Sequence, residues 1–433
     1  FVDKTHRFRH SLWLEFMYRR LMIARDLLAD DGVIFVSIDD NELFRLGMLM
    51  DRVFGEDNFI ANVIWQKMDS PKNTAQHFSD DHEYIVVFSR NKSIWRPNRL
   101  PRSDEMNARY KNPDNDPRGE WLLSDLAARN FYSLGTYPIA TPSGRVIEGP
   151  PPGNYWRVSK EKFDELDRDN RIWWGKSGSN RPGIKRFLTE VRDGVVPQTL
   201  WEWKDVGSTR HSKQELNSIM GAVGDDLFFG TPKPVQLMER ILRIATKPDD
   251  TVLDFFAGSG TLAQAVAKLN AEDGGTRRFI LVSSTEATAE TPDKNLCRDV
   301  CAQRVRRVLG GYTNAKGEAV AGLGGGFAYL RARRIAPHRL ALKIDHAQVW
   351  HALLLLHAQA LAPWPAQGFA ASGAIAYLAD FKEAHVTRLR DWLADIDHAA
   401  ATVYCWAPER VRELAPAAAW QPIPQILRER FGR

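Results

Sequence analysis

The stretch DFFAGSGT occupies residues 254–261 of a chain of 433 residues. It follows the run DTVL and precedes TLAQAVAKLNAED, a run of mostly helix-forming residues that Gly274 and Gly275 end. This pattern predicts a strand, a glycine-rich turn and a helix, an arrangement in which backbone N–H groups approach a ligand closely. The stretch therefore predicts an α/β domain that binds a ligand at the turn.

The chemistry of the turn favours one ligand over another. Gly258-x-Gly260-x-x-Ala263 fits the dinucleotide fingerprint, and Glu286 at the end of the next predicted strand, RFILVSSTE, could hold a ribose. However, Asp254 would repel a pyrophosphate and attract an ammonium group, and the turn contains no Lys or Arg. S-adenosylmethionine fits better, with its ammonium at Asp254, its methionine part at the glycines and its ribose at Glu286. A dinucleotide and a purely structural turn remain the alternatives.

The beginning of the chain has the texture of a doubly wound α/β unit. Residues 11–29 have helical apolar spacing, GVIFVSID reads as a strand buried in a parallel sheet, and NELFRLGMLMDRVFG reads as a helix. FIANVIWQK and EYIVVFSR then predict an antiparallel pair. The polar loop between them, residues 68–82, is unusually long and is expected to be mobile.

Composition divides the chain into four segments: residues 1–92, 93–205, 206–334 and 335–433. The second is rich in Pro, Gly, Asn and Asp, and its Arg and Lys residues alternate with Trp and Tyr. Basic groups neutralise phosphates and flat rings stack on bases, so this segment indicates nucleic-acid binding. The alternative is a partly exposed aromatic surface with solvated charges. The last segment predicts a small α or α/β module.

Several classes of protein are not indicated. No apolar run reaches the roughly 20 residues that span a bilayer. Three cysteines are too few for a disulfide framework and favour the cytoplasm, and no metal site is expected around Cys297 and Cys301. The net charge is +5. The four arginines of the helix predicted over 296–309 are interpreted as a solvated basic face, with phosphate contact as the alternative.

At this point the motifs resemble a known family. DFFAGSGT resembles the cofactor motif of amino-methylating DNA methyltransferases, and TPKPVQLMERIL resembles the motif that precedes their cofactor strand, for which we predict Thr231 as the helix N-cap. LLADDGVIFVSIDDNE, FGEDNFIANVIWQK, LPRSDEMNARYKNPDNDPRGEW and LNAEDGG are similar to the modification (Mod) subunits of type III restriction–modification systems. The resemblance covers roughly residues 10–330, and the order of the motifs makes it specific.

The resemblance implies a permuted, Rossmann-like methyltransferase fold dependent on S-adenosylmethionine. In this arrangement residues 1–92 are the catalytic half, 93–205 the inserted target-recognition domain and 206–334 the cofactor half, followed by a small C-terminal domain. The order accounts for the late position of the glycine turn. The catalytic signature of the family, Asp-Pro-Pro-Tyr, is not found, and it is expected just upstream of Phe1. The catalytic residues therefore stay unknown.

The implied function is transfer of a methyl group to N6 of adenine in duplex DNA, after the base has been flipped out. A homodimer and a restriction subunit with helicase and nuclease activity are the implied protein partners. The cofactor residues by resemblance are Asp254, Phe256, Gly258, Gly260, Glu286 and Lys233, the last near the adenosine end. Asp39 either faces the same pocket or caps the next helix. DNA contacts are expected from Lys67, Lys72, Asn73, His77, Arg109 and Lys111. N4-cytosine methylation and a recognition module without activity are the alternatives.

Overall fold

The computed structural model describes residues 5–221, 229–332, 335–339, 344–365 and 368–431. The chain divides into two compact units, residues 1–326 and 327–433. Strands and helices alternate in both, which confirms the predicted α/β class.

The first part of unit one is built on a four-stranded sheet in the order β1-β3-β2-β11. Strands β1 and β2 each pair antiparallel with β3, and β11 adds to β2 in parallel. The hairpin β2–β3 and both predicted helices are confirmed. The expectation that β1 lies in a parallel sheet is wrong, because the hairpin places β3 beside it. The elements are α1 (Arg9–Leu27), β1 (Val33–Ile38), α2 (Leu43–Phe54), β2 (Phe59–Gln66), β3 (His82–Ser89) and β11 (Leu200–Trp201).

Helices α1 and α2 pack on one face of this sheet. Helix α1 buries Met17, Leu21 and Ala24, which recur at helical spacing. Helix α2 buries Leu46 and Met50 completely, and both helices share one core with β1 and β3. Burial of this apolar face, at about 25 cal/mol per Å², accounts for the stability of the layer.

The later part of unit one contains the glycine turn. Strands β12 and β13 pair in parallel, with Asp254 opposite Leu281 at their carboxyl ends. The predicted strand–turn–helix is confirmed, and residues 323–332, later in the same unit and at the start of the next, are irregular. The elements are α6 (Thr209–Met220), α7 (Val235–Ala245), β12 (Thr251–Asp254), α8 (Thr261–Asp273), β13 (Arg278–Leu281), α9 (Ala302–Gly310), β14 (Tyr312–Thr313) and β15 (Ala319–Val320).

Helix α7 joins the two parts of unit one. One side of it buries Leu237 and Ile244 in a core shared with β2 and β3. The other side buries Val235 and Leu242 in a core shared with α8, β12 and β13. Pro234 precedes α7 without a side-chain cap, so the prediction of Thr231 as its N-cap is wrong. A helix that is apolar on two sides is what fixes β12 relative to the first sheet.

The insert between β3 and β11 is rich in loops, as predicted. Its aromatic rings form its core: Trp156 is fully buried, and Phe163 and Trp174 are buried against it. Buried rings cannot stack on bases, so most of the alternating aromatics stabilise the insert, whereas the basic residues beside them, such as Arg109, Lys111 and Arg157, are exposed. Its elements are α3 (Asp104–Asn107), β4 (Trp121–Asp125), β5 (Ala127–Ala128), β6 (Ile139–Ala140), β7 (Val146–Ile147), β8 (Tyr155–Trp156), α4 (Lys160–Arg168), β9 (Ile172–Trp173) and β10 (Gly183–Phe187), with α5 (Trp203–Val206) just after β11.

Unit two is a smaller α/β layer built on a four-stranded sheet in the order β16-β17-β18-β19. The first pair is antiparallel and the other two pairs are parallel. Among the described residues, no helix of the chain is both long and apolar enough to cross a membrane. The elements of unit two are β16 (Phe369–Ser372), β17 (Ile375–Leu378), β18 (Thr402–Cys405), β19 (Ala419–Pro422) and the helices His346–Leu356, Glu383–Ala394 and Gln425–Phe431.

A buried ionic cluster links β10 of the insert to the loop that precedes β4. The fully buried Lys185 on β10 forms ion pairs with Asp114 and, at 3.1 Å, with Asp116. Arg118 binds Asp116 through two hydrogen bonds of 2.9 Å. Arg118 and then Lys185 hold the pKa of Asp116 well below its usual range. Because both carboxylates depend on this lysine, we expect the insert to depend on it too.

We therefore predict that Lys185→Met destabilises the insert by about 3–5 kcal/mol, since it leaves buried carboxylates without one cation. Chemical denaturation followed by tryptophan fluorescence measures this. Lys162→Met is the matched control, because Lys162 is exposed and pairs with Glu165 one turn away, so its loss costs less than about 1 kcal/mol. Equal destabilisation by the two variants would contradict the role of the cluster.

Candidate cofactor site

The glycine turn leaves β12 through a network of short-range hydrogen bonds. Asp254 accepts a hydrogen bond of 3.0 Å from the Phe256 N–H, and the Ala257 N–H donates to the Val282 carbonyl at 3.1 Å. The Gly260 N–H then donates to the Ala257 carbonyl at 2.7 Å. These bonds turn the chain sharply from the end of the strand into α8.

Both glycines of the turn are required by its geometry. Gly258 and Gly260 have φ angles of 49° and 78°, in the left-handed region that favours glycine. A Cβ at Gly260 would lie 2.9 Å from the Sγ of Cys301, and one at Gly258 would lie 3.1 Å from the ring of Phe229. A larger residue would therefore be strained by conformation and by contact.

Asp254 has the properties of a cation-binding carboxylate. It is half-buried at the carboxyl end of β12, and burial raises its pKa above the ordinary value. Among the described residues no Lys or Arg forms an ion pair with it. A carboxylate in this state gains from a cationic ligand, which restores its charged form. The Asp254 carboxylate therefore suits the ammonium group of an amino-acid-bearing cofactor.

An aromatic surface borders the turn. Phe256 is 42% exposed, and its ring lies 6.0 Å from Phe16 of α1 and 5.1 Å from Phe255. The Arg20 guanidinium lies over the Phe16 ring at 3.4 Å. Phe255 packs on the core of α1, α2 and β1. The end of β12 therefore meets the first helical layer through these aromatic rings.

Lys233 lies between the first sheet and the glycine turn. Its Nζ forms an ion pair with Glu83 of β3 and lies 4.9 Å above the Trp65 ring. Its carbonyl accepts a hydrogen bond of 3.2 Å from Thr261, the last residue of the turn. Lys233 thus links the first sheet to the turn. Its position near the adenosine end of a cofactor stays a prediction.

A polar group stands at the end of β1 and the start of β3. Asp39 is exposed, and its carboxylate accepts hydrogen bonds from Asn41. Helix α2 begins at Leu43 with Glu42 before it, so Asp39 does not cap that helix. Burial, and next the adjacent Asp40, raises the pKa of Tyr84. The Tyr84 hydroxyl also lies 3.0 Å from His82 Nε2.

The prediction that Glu286 ends the strand after the turn is wrong, because β13 ends at Leu281. Glu286 lies beyond that strand, in a left-handed conformation with a φ of 54°. It forms an ion pair of 3.1 Å with Lys294, which leaves its side chain partly exposed. The structure does not join it by a hydrogen bond to the turn. Its contact with a ribose stays a prediction.

The residues expected to contact DNA fall into two groups. Lys67 is only 12% exposed and forms ion pairs with Asp80 and Glu83, so contact with a phosphate would require these pairs to break. The other five are exposed: Lys72, Asn73 and His77 on the loop 68–82, and Arg109 and Lys111 on the insert. Their exposure is compatible with DNA contact without testing it.

The loop 68–82 has an ordered base. The Lys67 N–H donates to the Asp81 carbonyl at 2.9 Å, and the Lys72 N–H donates to Ser79 Oγ at 2.7 Å. Phe78 beside Ser79 is 94% exposed. Sequence reasoning passed over Phe78, although an aromatic residue inside a polar loop was a visible signal.

Two further residues were missed by sequence reasoning. Glu83 was read only as part of an alternating strand, and Arg304 was read as part of a solvated face. Arg304 is fully buried behind the glycine turn, so the solvated reading is wrong for this residue. Helical spacing offered one signal, because Arg304 follows Val300 and Cys301 on the apolar side of the helix.

The residues of the structure also bear on metals and disulfides. Among the described residues, no group of three or more His, Cys, Asp or Glu side chains could hold a metal ion. Cys297, Cys301 and Cys405 are free thiols.

Comparison with known families matches this architecture. A model of the DNA methylase family (N6_N4_Mtase) matches residues 3–290. The chain belongs to this family. The predicted methyltransferase fold and the resemblance on which it rested are thereby confirmed.

Two curated relatives are Mod subunits. The chain is 37% identical over 308 residues to the Mod subunit of the type III restriction-modification enzyme StyLTI of Salmonella typhimurium, covering 69% of this chain and 45% of that protein. It is 35% identical over 308 residues to the EcoPI Mod subunit of Escherichia phage P1, covering 65% and 47%. The chain thus spans about half the length of the curated relatives it matches.

Among solved structures, a complex of M1.HpyAVI with SAM is 14% identical, with a TM-score of 0.29, covering 67% of this chain and 82% of that chain. A score this low adds nothing to the family assignment, which depends on the sequence match.

The pair Glu83–Lys233 should couple the two parts of unit one. We predict that Glu83→Gln and Lys233→Met each lower the free energy of unfolding, and that a double-mutant cycle gives a coupling of about 1–3 kcal/mol, as for a hydrogen bond between charged groups. Urea denaturation measures it. The exposed pair Glu15–Arg19 is the control, with an expected coupling below about 0.5 kcal/mol. Additive effects at Glu83 and Lys233 would contradict the coupling.

Proposed function

We propose that this chain is part of a DNA methyltransferase that binds S-adenosylmethionine and methylates N6 of adenine in duplex DNA. The observation that supports this most directly is the half-buried Asp254, which has no cationic partner among the described residues, beside two obligatory glycines in a DNA methylase family member. A carboxylate of this kind favours an amino-acid-bearing cofactor over a dinucleotide.

The residues of the turn fit the cofactor. Asp254 would hold its ammonium group, and the backbone at Gly258 and Gly260 would lie against its methionine part. The exposed ring of Phe256 would contact its apolar surface. Glu286 would hold the ribose hydroxyls after separation from Lys294. When bound, the cofactor supplies an electrophilic methyl group.

The DNA-facing side of the protein is proposed to include the insert and the loop 68–82. Lys72, Asn73 and His77 are exposed on that loop, and Arg109 and Lys111 are exposed on the insert. These groups can neutralise phosphates, which orients the duplex without reading its sequence. Phe78 can fill the space that a flipped adenine leaves in the stack, since it exposes nearly its whole ring.

The assembly and the location are part of the same proposal. The relatives are named as subunits of restriction–modification enzymes. We propose that this protein likewise acts as the modification subunit in the cytoplasm, as a homodimer and together with a restriction subunit.

The cofactor half of the proposal is tested by Asp254→Asn. We expect this change to weaken S-adenosylmethionine binding at least tenfold, about 1.4 kcal/mol, because the amide cannot pair with an ammonium. In the unchanged protein, affinity should fall as the pH is lowered from neutrality towards the pKa of Asp254, which burial raises, since protonation removes the charge that holds the ammonium. Isothermal titration calorimetry measures both.

Asp299→Asn is the control, because Asp299 is a surface carboxylate paired with Arg298. It should leave the affinity and its pH dependence unchanged. A variant at Asp254 that binds the cofactor like the unchanged protein would remove the main support for the proposal.

The reaction is tested by methyl transfer from labelled S-adenosylmethionine to plasmid DNA by the complete gene product. We expect label on N6 of adenine, identified after digestion to nucleosides. Label on N4 of cytosine would instead support the closest alternative. DNA binding without any transfer would leave a recognition module, and the enzymatic proposal would be wrong.

A further inference from the structure

Arg304 on α9 is a buried cation directly behind the glycine turn. Its side chain has no exposed surface. Nη1 donates hydrogen bonds to Ser259 Oγ at 3.0 Å and to Thr261 Oγ1 at 2.8 Å, and Nε donates to Gln264 Oε1 at 2.9 Å. One guanidinium therefore binds two hydroxyls of the turn and the first part of α8.

This arrangement is costly by itself. Among the described residues no carboxylate lies within ion-pair distance of Arg304, and its Nη2 is buried without a hydrogen-bond partner. The nearest compensation is indirect, since Gln264 donates at 2.8 Å to Glu215 of α6. Burial lowers the pKa of Arg304 to about 10, so the group is still charged at neutral pH. A buried charge without an ion-pair partner lowers the stability of the fold unless its hydrogen bonds compensate for the lost hydration.

The hydrogen bonds of the turn show what Arg304 holds in place. Its residues alternate, because Ser259 and Thr261 are buried with their hydroxyls on Arg304 while Gly258 and Gly260 carry no side chain. Thr261 also donates to the Lys233 carbonyl. With both hydroxyls held inward, the backbone of the glycines keeps one conformation, and neither hydroxyl can rotate into the ligand space.

We propose that Arg304 is a positioning residue for the cofactor: through Ser259 and Thr261 it presets the backbone of the glycine turn against which the methionine part of S-adenosylmethionine binds. This inference rests on the proposed function. Arg304 acts from behind the turn and does not touch the cofactor. A planar guanidinium suits this task, since its fork reaches several acceptors in fixed directions, which a lysine ammonium cannot do.

The inference is tested by cofactor and DNA affinities of the complete gene product. Arg304→Met should raise the Kd for S-adenosylmethionine about tenfold or more, and Arg304→Lys should recover part of the loss. The Kd for a duplex oligonucleotide, measured by fluorescence anisotropy, should change less than about twofold, because α9 lies behind the turn. Arg306→Met is the control on the same helix, since Arg306 is exposed, and its Kd values should stay unchanged.

A second part of the experiment tests whether Arg304 acts on the cofactor through Thr261. In a Thr261→Val background, Arg304→Met should raise the Kd for the cofactor clearly less than it does alone, because one of its acceptors on the turn is already lost. This part also applies if Arg304→Met does not fold, since Thr261→Val and Arg304→Lys should each weaken cofactor binding while sparing DNA binding.

Three results would overturn the inference: an unchanged cofactor Kd in Arg304→Met, an equal loss of cofactor and DNA affinity with a lowered Tm, or additive effects of the two substitutions. Failure of the unchanged protein to bind S-adenosylmethionine would instead overturn the proposed function itself. The two failures are thus distinguishable in one set of titrations.

Discussion

The site depends on Lys233, whose ion pair with Glu83 joins residues that are 150 positions apart in the chain. Its ammonium is bound to Glu83 at the start of β3, and its carbonyl accepts the hydroxyl of Thr261 at the start of α8. The pair is mostly shielded from water, with 29% and 20% of the two side chains exposed, so solvent screens it less than it screens a surface pair. Helix α7, which follows at once, then packs on both sheets. A single segment thereby positions the glycine turn relative to the first layer.

The turn combines a flexible residue type with a rigid surrounding. Gly258 and Gly260 adopt left-handed conformations that other residues avoid. Because glycine has more backbone freedom than any other residue, two glycines would by themselves make the segment mobile. The contact of Gly260 with Cys301 and the hydrogen bonds from Arg304 restrict it from behind. On the other side, Asp254 lacks a cationic partner among the described residues and Phe256 is partly exposed. Binding of a cationic ligand would therefore complete a site whose backbone is already ordered.

The insert shows how composition can suggest one role while the fold assigns another. Basic and aromatic residues alternate along it, which is typical of nucleic-acid binding. In the structure, Trp156 and Trp174 fill its core, and the charged cluster around Lys185 connects β10 to the loop before β4. Short strands with many loops bury little backbone, so large rings supply the apolar area that the insert requires. The exposed Arg109 and Lys111 remain available at its surface.

The helices α1, α2, α7 and α8, the hairpin β2–β3 and the strand that ends at Asp254 could be predicted from the residues alone, because local periodicity and glycine positions encode them. The sequence also indicated the family through the order of its motifs. Three features became visible only once the chain was folded. Lys233 binds Glu83, and Arg304 is buried beneath Ser259 and Thr261. In addition, β1 pairs antiparallel with β3. These features join residues that are distant in the sequence. The sequence is also the same whether a charged side chain is surrounded by water or buried against a hydroxyl group. Packing alone removes the water and selects the partner.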